Sequence, residues 1–358
     1  MGHRPGAGAR GIGQMTPADG TPAPTPSEML SGADGKVRLY GILELKPSLV
    51  CHEDLLGATF AIAVNGIAGN LHIPGSPSKL DALADHLNVP LVPPSDAATW
   101  QHRGDPIPWG VRYAVRYPDG HPEVRRVLLT FDVRAEQFQE ASIELRNDFN
   151  RWLAHLKEVL DLLSKRCLIG PTYHVWDPAP KDLDLFAWGP DGKQKRARGV
   201  NVSHVTALSE VPDAVPRHEH FRVACALASS GTPLPSPYQF QLAAYRAFEA
   251  NDYRKAVVET AVAAEIALTN TIKRRLSSDG LAYAQSIMKK FRMLSGRIEL
   301  AQAMTLPLPT NLKDTLVEPR NRVAHQGYEP TIEESRNAIC ATDEILIAQL
   351  PLAPSHSG

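Results

Sequence analysis

The sequence predicts an α+β chain: a β-rich N-terminal domain with one long helix, followed by an all-α antiparallel helical bundle. Three observations predict it. Alternating apolar runs rich in β-branched residues occupy much of the stretch from Val37 to Val133. Asn-Gly and Asp-Gly pairs, the chemistry of tight hairpin turns, punctuate that stretch. Beyond Pro237 the apolar period becomes helical and strand patterns stop.

Taken in order, residues 1–34 are Gly, Pro, Ala, Thr and Ser with almost no large apolar side chains. Such a segment cannot bury enough surface to offset the entropy of ordering and is expected to be disordered. Val37–Leu45, Ala58–Val64, Val111–Tyr117 and Val124–Val133 read as strands. Asn65-Gly66 and Asp119-Gly120 read as the turns of antiparallel hairpins. A helix is expected over Ala135–Lys165, where Phe138, Leu145, Phe149, Trp152, Leu156, Val159, Leu160 and Leu163 recur at helical spacing. Short segments follow at Tyr173–Trp176 and Asp182–Trp188, then a Lys/Arg/Gly loop at Asp191–Gly199.

The Ser, Gly and Pro of Ser229–Pro237 look like a linker. Helices are then expected at Tyr238–Glu249, Asp252–Leu276, Leu281 to about Leu300 and, as a short one, Asn311–His325. A last helix starts from the capping box Thr331-Ile332-Glu333-Glu334 and runs to about Leu350. Short loops between such helices favour an antiparallel bundle. The expected organisation is a sensor or regulatory domain over residues 35–228, a linker over 229–236, a helical domain over 237–352 and a tail over 353–358.

Composition narrows the function. The chain is 43% hydrophobic and 22% charged with a formal net charge of −1, so no global basic field marks a nucleic-acid binder and any RNA contact must come from local patches. Cys51, Cys167, Cys225 and Cys340 lie far apart with no CxxC pair, which fits separate thiols of a reducing compartment. No apolar run reaches membrane-spanning length, and nothing apolar follows Arg4 and Arg10 to make a secretory signal. A cytoplasmic protein that touches no membrane is expected. His218, His220 and Cys225 fit no common closed zinc set, and no P-loop, dinucleotide fingerprint or nucleophile elbow is present, so no metal and no cofactor is expected.

The most informative segment is Glu318-Pro319-Arg320-Asn321-Arg322-Val323-Ala324-His325-Gln326-Gly327. Arg320 and His325 are separated by four residues, with a polar Asn321 directly after the arginine. This resembles the R-x4-6-H motif of the HEPN superfamily in its R-N-x-x-x-H form. The family sets this motif before a loop and a final amphipathic helix, beside an earlier Ala-rich helix with an embedded Glu, which Ala256–Glu265 fits. The resemblance covers about the last third of the chain. It implies an endoribonuclease with Arg320, Asn321 and His325 as catalytic residues, acting as a homodimer. Products carrying a 2′,3′-cyclic phosphate and a 5′-hydroxyl would follow, and a toxin or antiphage abortive-infection role is implied in the same way.

Physical chemistry supports the residue types. RNA can be cleaved without a metal if the neighbouring 2′-hydroxyl attacks the phosphate. That route needs a proton-transfer group and a cation to hold developing charge. A histidine titrates near neutrality, and an arginine offers a permanent planar fork for phosphate oxygens. Gly327 is a helix-stop signal, which puts His325 near a helix C-terminus where its protonated form is favoured. A five-residue offset turns about 140° around a helix, so one Arg320/His325 pair does not share a face. Two copies facing each other across a twofold axis would complete a cleft.

Glu265 lies on the apolar stripe between Ala261 and Leu268, and needs a partner, for which Arg320 is a natural candidate. Arg322, Lys273, Arg274, Arg275, Lys289 and Lys290 are candidate RNA contacts; between residues 271 and 297 the only acid is Asp279. A non-catalytic HEPN module that binds a nucleotide or a partner and dimerises is the alternative. The front domain would sense a ligand, a phage-derived trigger or an antitoxin. Gly170 with Asp182 and Asp184 resembles minimal nucleotidyltransferase spacing, but Pro171 stands where that family wants Ser, and no third acid follows in Val200–Val202.

Overall fold

The computed structural model describes residues 35–77, 84–90, 92, 101–102, 105–113, 121–165, 183–188, 194–196, 215–277 and 280–352. Expectations at 1–34, Ala114–Tyr117, Asp119-Gly120, Gly170, Tyr173–Trp176, Asp182 and most of Asp191–Gly199 lie outside these residues. The described strands are β1 (Lys36–Val50), β2 (Thr59–Val64), β3 (Ile67–His72), β4 (Ala84–His86), β5 (Gln101–His102), β6 (Asp105–Pro106), β7 (Gly110–Tyr113), β8 (Pro122–Arg134), β9 (Leu183–Trp188) and β10 (Gln194–Arg196). The described helices are α1 (Phe138–Leu163), α2 (His218–Ser230), α3 (Ser236–Glu249), α4 (Tyr253–Leu276), α5 (Leu281–Lys290), α6 (Leu294–Ala303), α7 (Glu318–Gln326) and α8 (Ile332–Gln349).

Strand patterning produces an antiparallel sheet in the order β10-β9-β1-β8-β3-β2, with β7 also on β8 and β4 on β7. The long strands β1 and β8 form its spine, paired from Lys36 with Arg134 to Glu44 with Arg126, and again at Leu49 with Val124 after an irregularity. Asn65 and Gly66 join β2 to β3 with φ of 49° and 80°, the two positive values a tight hairpin turn demands. The short strand β10 occupies a stretch expected to be loop. Leu39, Leu71, Leu128, Leu129 and Phe131 are fully buried, and α1 adds Leu145, Phe149 and Trp152 to the same core.

Helix α2 opens at the His218-x-His220 polar cluster, which reads as a helix start, but its course to Ser230 was not expected. It packs on α1 and β2. At its last turn the Ser229 hydroxyl accepts the Ala63 N–H of strand β2 at 2.8 Å. Only Gly231 to Pro235, led by a left-handed Gly231, separates α2 from α3, so the expected linker is a five-residue turn rather than a spacer.

In the C-terminal part α4 is the central helix, packed on by α3, α5, α6, α7 and α8. Its small side chains explain this: Ala256, Ala261, Ala263, Ala264 and Ala267 are all buried and let neighbours approach on several sides. The expected single helix over Leu281–Leu300 is two helices, broken between Lys290 and Leu294. Phe291 folds back over α6, where a Cβ on Gly296 would sit 3.4 Å from its ring. The short helix expected at Asn311–His325 opens as a π-turn segment, Lys313–Val317, that runs into α7. Pro319 has no N–H to return to the Thr315 carbonyl, and ahead of it Glu318 N–H reaches back to the Lys313 carbonyl instead.

A buried polar network ties the bundle together. The Gln241 side chain of α3 donates to the Asp343 carboxylate of α8 at 2.7 Å and accepts from the Thr260 hydroxyl of α4 at 2.7 Å. Tyr245 also donates to Asp343. Among the described residues no helix is long and apolar enough to cross a membrane.

Candidate functional site

Helix α7 carries the motif on two and a half turns. Pro319 and Val323 are buried and hold it against the bundle, which fixes the direction of every other side chain. Arg320 lies to one flank of that buried face and Arg322 to the other, because successive residues step 100° around the axis. Asn321 and His325 are exposed and Arg320 is half-buried. Gly327 ends the helix in the left-handed conformation, φ 65°, with its N–H on the Arg322 carbonyl. His325 therefore sits in the last turn, at the negative end of the helix dipole.

The Arg320 guanidinium donates to Asn321 Oδ1 at 3.0 Å and meets no carboxylate among the described residues. Its fork is thus held along the helix surface and keeps donors for an incoming anion. The His325 ring has no hydrogen-bond partner among the described residues. Arg320 and His325 point about 140° apart, so a single chain does not bring both onto one reacting group.

Arg322 is differently placed from its expected role as an RNA contact. Its Nη2 donates to Glu334 Oε1 at 2.6 Å, and its guanidinium lies 4.2 Å from the Tyr328 ring centroid. Tyr328 in turn donates to Glu334 Oε2 at 3.0 Å, and that oxygen also takes the Thr331 N–H at 2.8 Å. Partial burial works against the Glu334 charge, but these donors outweigh it and hold the carboxyl at about 2. The result is a brace across the α7–α8 corner, two residues from Arg320 and three from His325. Tyr328 belongs to this brace.

Glu265 does not reach Arg320. Its carboxylate faces Arg297 of α6 at 3.6 Å, and Arg297 also donates to the Glu265 carbonyl at 3.3 Å. The split between α5 and α6 re-aims α6 and makes this pairing, which a continuous helix pattern concealed. Lys273, Arg274 and Arg275 end α4, and Lys289 and Lys290 end α5, all exposed. These cations are not at the α7 turn. Arg254, in the first turn of α4, pairs with Glu329 just beyond Gly327 at 3.8 Å, which sets the His325 end of α7 beside the start of α4. Nineteen residues of helix separate Arg254 from Lys273, about 28 Å.

Among the described residues no cluster of His, Cys, Asp and Glu could hold a metal ion. His218 instead packs against Phe60, the rings tilted with centroids 5.0 Å apart, and Cys225 is buried at 1% exposure, its thiol pushed up to about 12 by burial. Compared with models of protein families, with curated proteins and with solved structures, the chain gives no match.

Proposed function

We propose that the chain is a metal-independent endoribonuclease of HEPN type, regulated by its sheet-bearing N-terminal domain and working as a homodimer. The observation that carries this is Arg320: a half-buried residue on a short capped helix, its guanidinium held by Asn321 and facing no carboxylate among the described residues, with exposed His325 one turn and a half further on. In this reading His325 transfers a proton to or from the 2′-hydroxyl and the leaving oxygen, and Arg320 stabilises charge on the phosphate. Asn321 fixes the guanidinium and Arg322 braces the corner through Glu334. Because the two catalytic groups point apart, each active cleft uses both copies. The biological role we propose is a toxin or antiphage abortive-infection effector, released by a phage-derived trigger or by loss of an antitoxin.

The test is cleavage of RNA in the presence of a chelator, with the ends identified. Wild-type protein should leave 2′,3′-cyclic phosphate and 5′-hydroxyl ends. Arg320→Ala and His325→Ala should each lower the rate by at least about 100-fold. RNA left equally intact by wild type and both variants, with and without lysate from phage-infected cells, would leave the non-catalytic dimerisation module in its place.

A further inference from the structure

We infer that the ends of α4 and α5 form a remote anchor for single-stranded RNA, separated from the α7 turn along the bundle, so that the substrate must be long enough to span the two. The inference rests on the ribonuclease reading for the identity of its ligand and on the following geometry for its place.

Four residues separate the end of α4 from α5, which folds back along it. The return is fixed at the far end: the Phe291 carbonyl accepts from Arg297 Nε at 3.4 Å, and the same arginine pairs with Glu265. Lys273, Arg274 and Arg275 thus stand about 28 Å along α4 from Arg254, while Lys289, Lys290 and Arg292 stand near the level of Glu265, about 16 Å from it. Along the α4 axis the two groups lie roughly 12 Å apart. Arg297 pairs with Glu265, so the charge offered to a ligand rests on Lys273, Arg274, Lys289, Lys290 and Arg292.

Aromatic surface lies among those charges. Tyr283, in the first turn of α5, is 52% exposed, a large share for a tyrosine that packs in no core. Phe291 closes the other end of α5, with the Lys290 ammonium 5.7 Å from its ring centroid. Met293 beside it is 55% exposed. Cations beside an exposed tyrosine and a half-buried phenylalanine suit unpaired bases that stack, whereas a duplex hides its base faces. Helix-dipole complementarity accounts for lysines and arginines in the last turns of α4 and α5. It does not account for an exposed Tyr283 between them.

The spacing sets a length. At about 3.4 Å per stacked nucleotide, the 28 Å from Lys273 to the α7 end is roughly eight nucleotides. An oligonucleotide of about four nucleotides reaches one end only.

Full-length His325→Ala protein keeps its RNA intact and serves for binding measurements with fluorescein-labelled single-stranded RNA of about 4, 8 and 16 nucleotides. Affinity should rise at least 10-fold from the shortest to the longest. Adding Lys289→Ala and Lys290→Ala, or Tyr283→Ala, should remove most of that rise. The lysine pair should also lower the slope of log Kd against log salt by about 1.4, while Arg151→Ala on α1 should leave binding unchanged. Affinity independent of length, absence of binding at every length, equal binding of a duplex, or indifference to the three substitutions overturns the anchor. The two readings fail separately. Wild type that binds RNA in this manner without cutting it removes the ribonuclease and leaves the anchor; cutting that ignores the anchor substitutions removes the anchor alone.

Discussion

The Glu334 carboxylate accepts from Arg322, Tyr328 and the Thr331 N–H, while the Thr331 hydroxyl accepts the Glu334 N–H at 3.1 Å. One side chain therefore completes a capping box and neutralises an arginine beside the motif. Glu334→Ala should cost about 2 kcal/mol, the sum of a lost cap and a lost charged hydrogen bond, read as a lower urea midpoint. If the brace positions His325, Glu334→Gln should recover more of the RNA-cleaving rate than Glu334→Ala, because the amide still accepts from Thr331 and Arg322. A second residue gives a pH signature. His72 is 6% exposed between the Thr59 and Thr130 hydroxyls, at 3.0 and 2.9 Å, and burial pushes its pKa down to about 4. The folded state resists a proton that the unfolded chain takes up near pH 6.5. Stability is therefore full above about pH 6.5 and falls as pH drops toward 4, by up to about 1.4 kcal/mol per pH unit. His72→Gln should flatten that slope; an unchanged slope in urea titrations over this window would assign it to other groups.

At the scale of elements, much was legible because period and turn chemistry are local. The β1 and β8 alternation, the Asn65-Gly66 turn, the α1 stripe and the Thr331 capping box all appear where local pattern puts them. Three features were not legible, each for a physical reason. Helix α2 is built of small residues such as Ala224, Cys225 and Ala228, whose burial depends on α1 and β2, elements distant in sequence. The α5–α6 break preserves apolar spacing across Met288, Phe291 and Leu294, so the period runs straight through a turn made by Phe291 packing on Gly296. Partner choice at the site was equally hidden: spacing nominated Arg320 for Glu265, but the break delivers Arg297, and Arg322 goes to Glu334. The element-scale consequence can be measured. A Cβ at position 296 would only touch Phe291, but the branched atoms of a valine have no room beyond it, so Gly296→Val should destabilise the corner by about 1–3 kcal/mol and lower the unfolding midpoint, unless Phe291→Ala is made with it.

At the scale of the molecule, one ion pair joins the end of α1 to the bundle. Lys165, just past the α1 C-terminus, stands 3.7 Å from Asp343 Oδ2, a buried atom with no hydrogen bond among the described residues. Burial raises the Asp343 pKa against the pull of Tyr245 and Lys165. A double-mutant cycle with Lys165→Met and Asp343→Asn should give a coupling above about 1 kcal/mol, more than an exposed pair supplies, because removing the lysine alone strands a buried carboxylate. A coupling near zero would mean that the two parts of the chain communicate elsewhere. The largest consequence of the proposed function concerns two chains. Arg320 and His325 point about 140° apart on α7, so a cleft made by two copies takes its arginine from one and its histidine from the other. Arg320→Ala and His325→Ala homodimers are then both inactive. Mixed after unfolding and refolding, half of the dimers are heterodimers, and in each of these one of two clefts holds an intact Arg320 and an intact His325. The mixture should recover about a quarter of wild-type cleavage. A site complete within one chain predicts no recovery at all, since every chain in the mixture lacks one of its two groups, and that outcome would remove the dimer from the mechanism while leaving each single-variant loss in place.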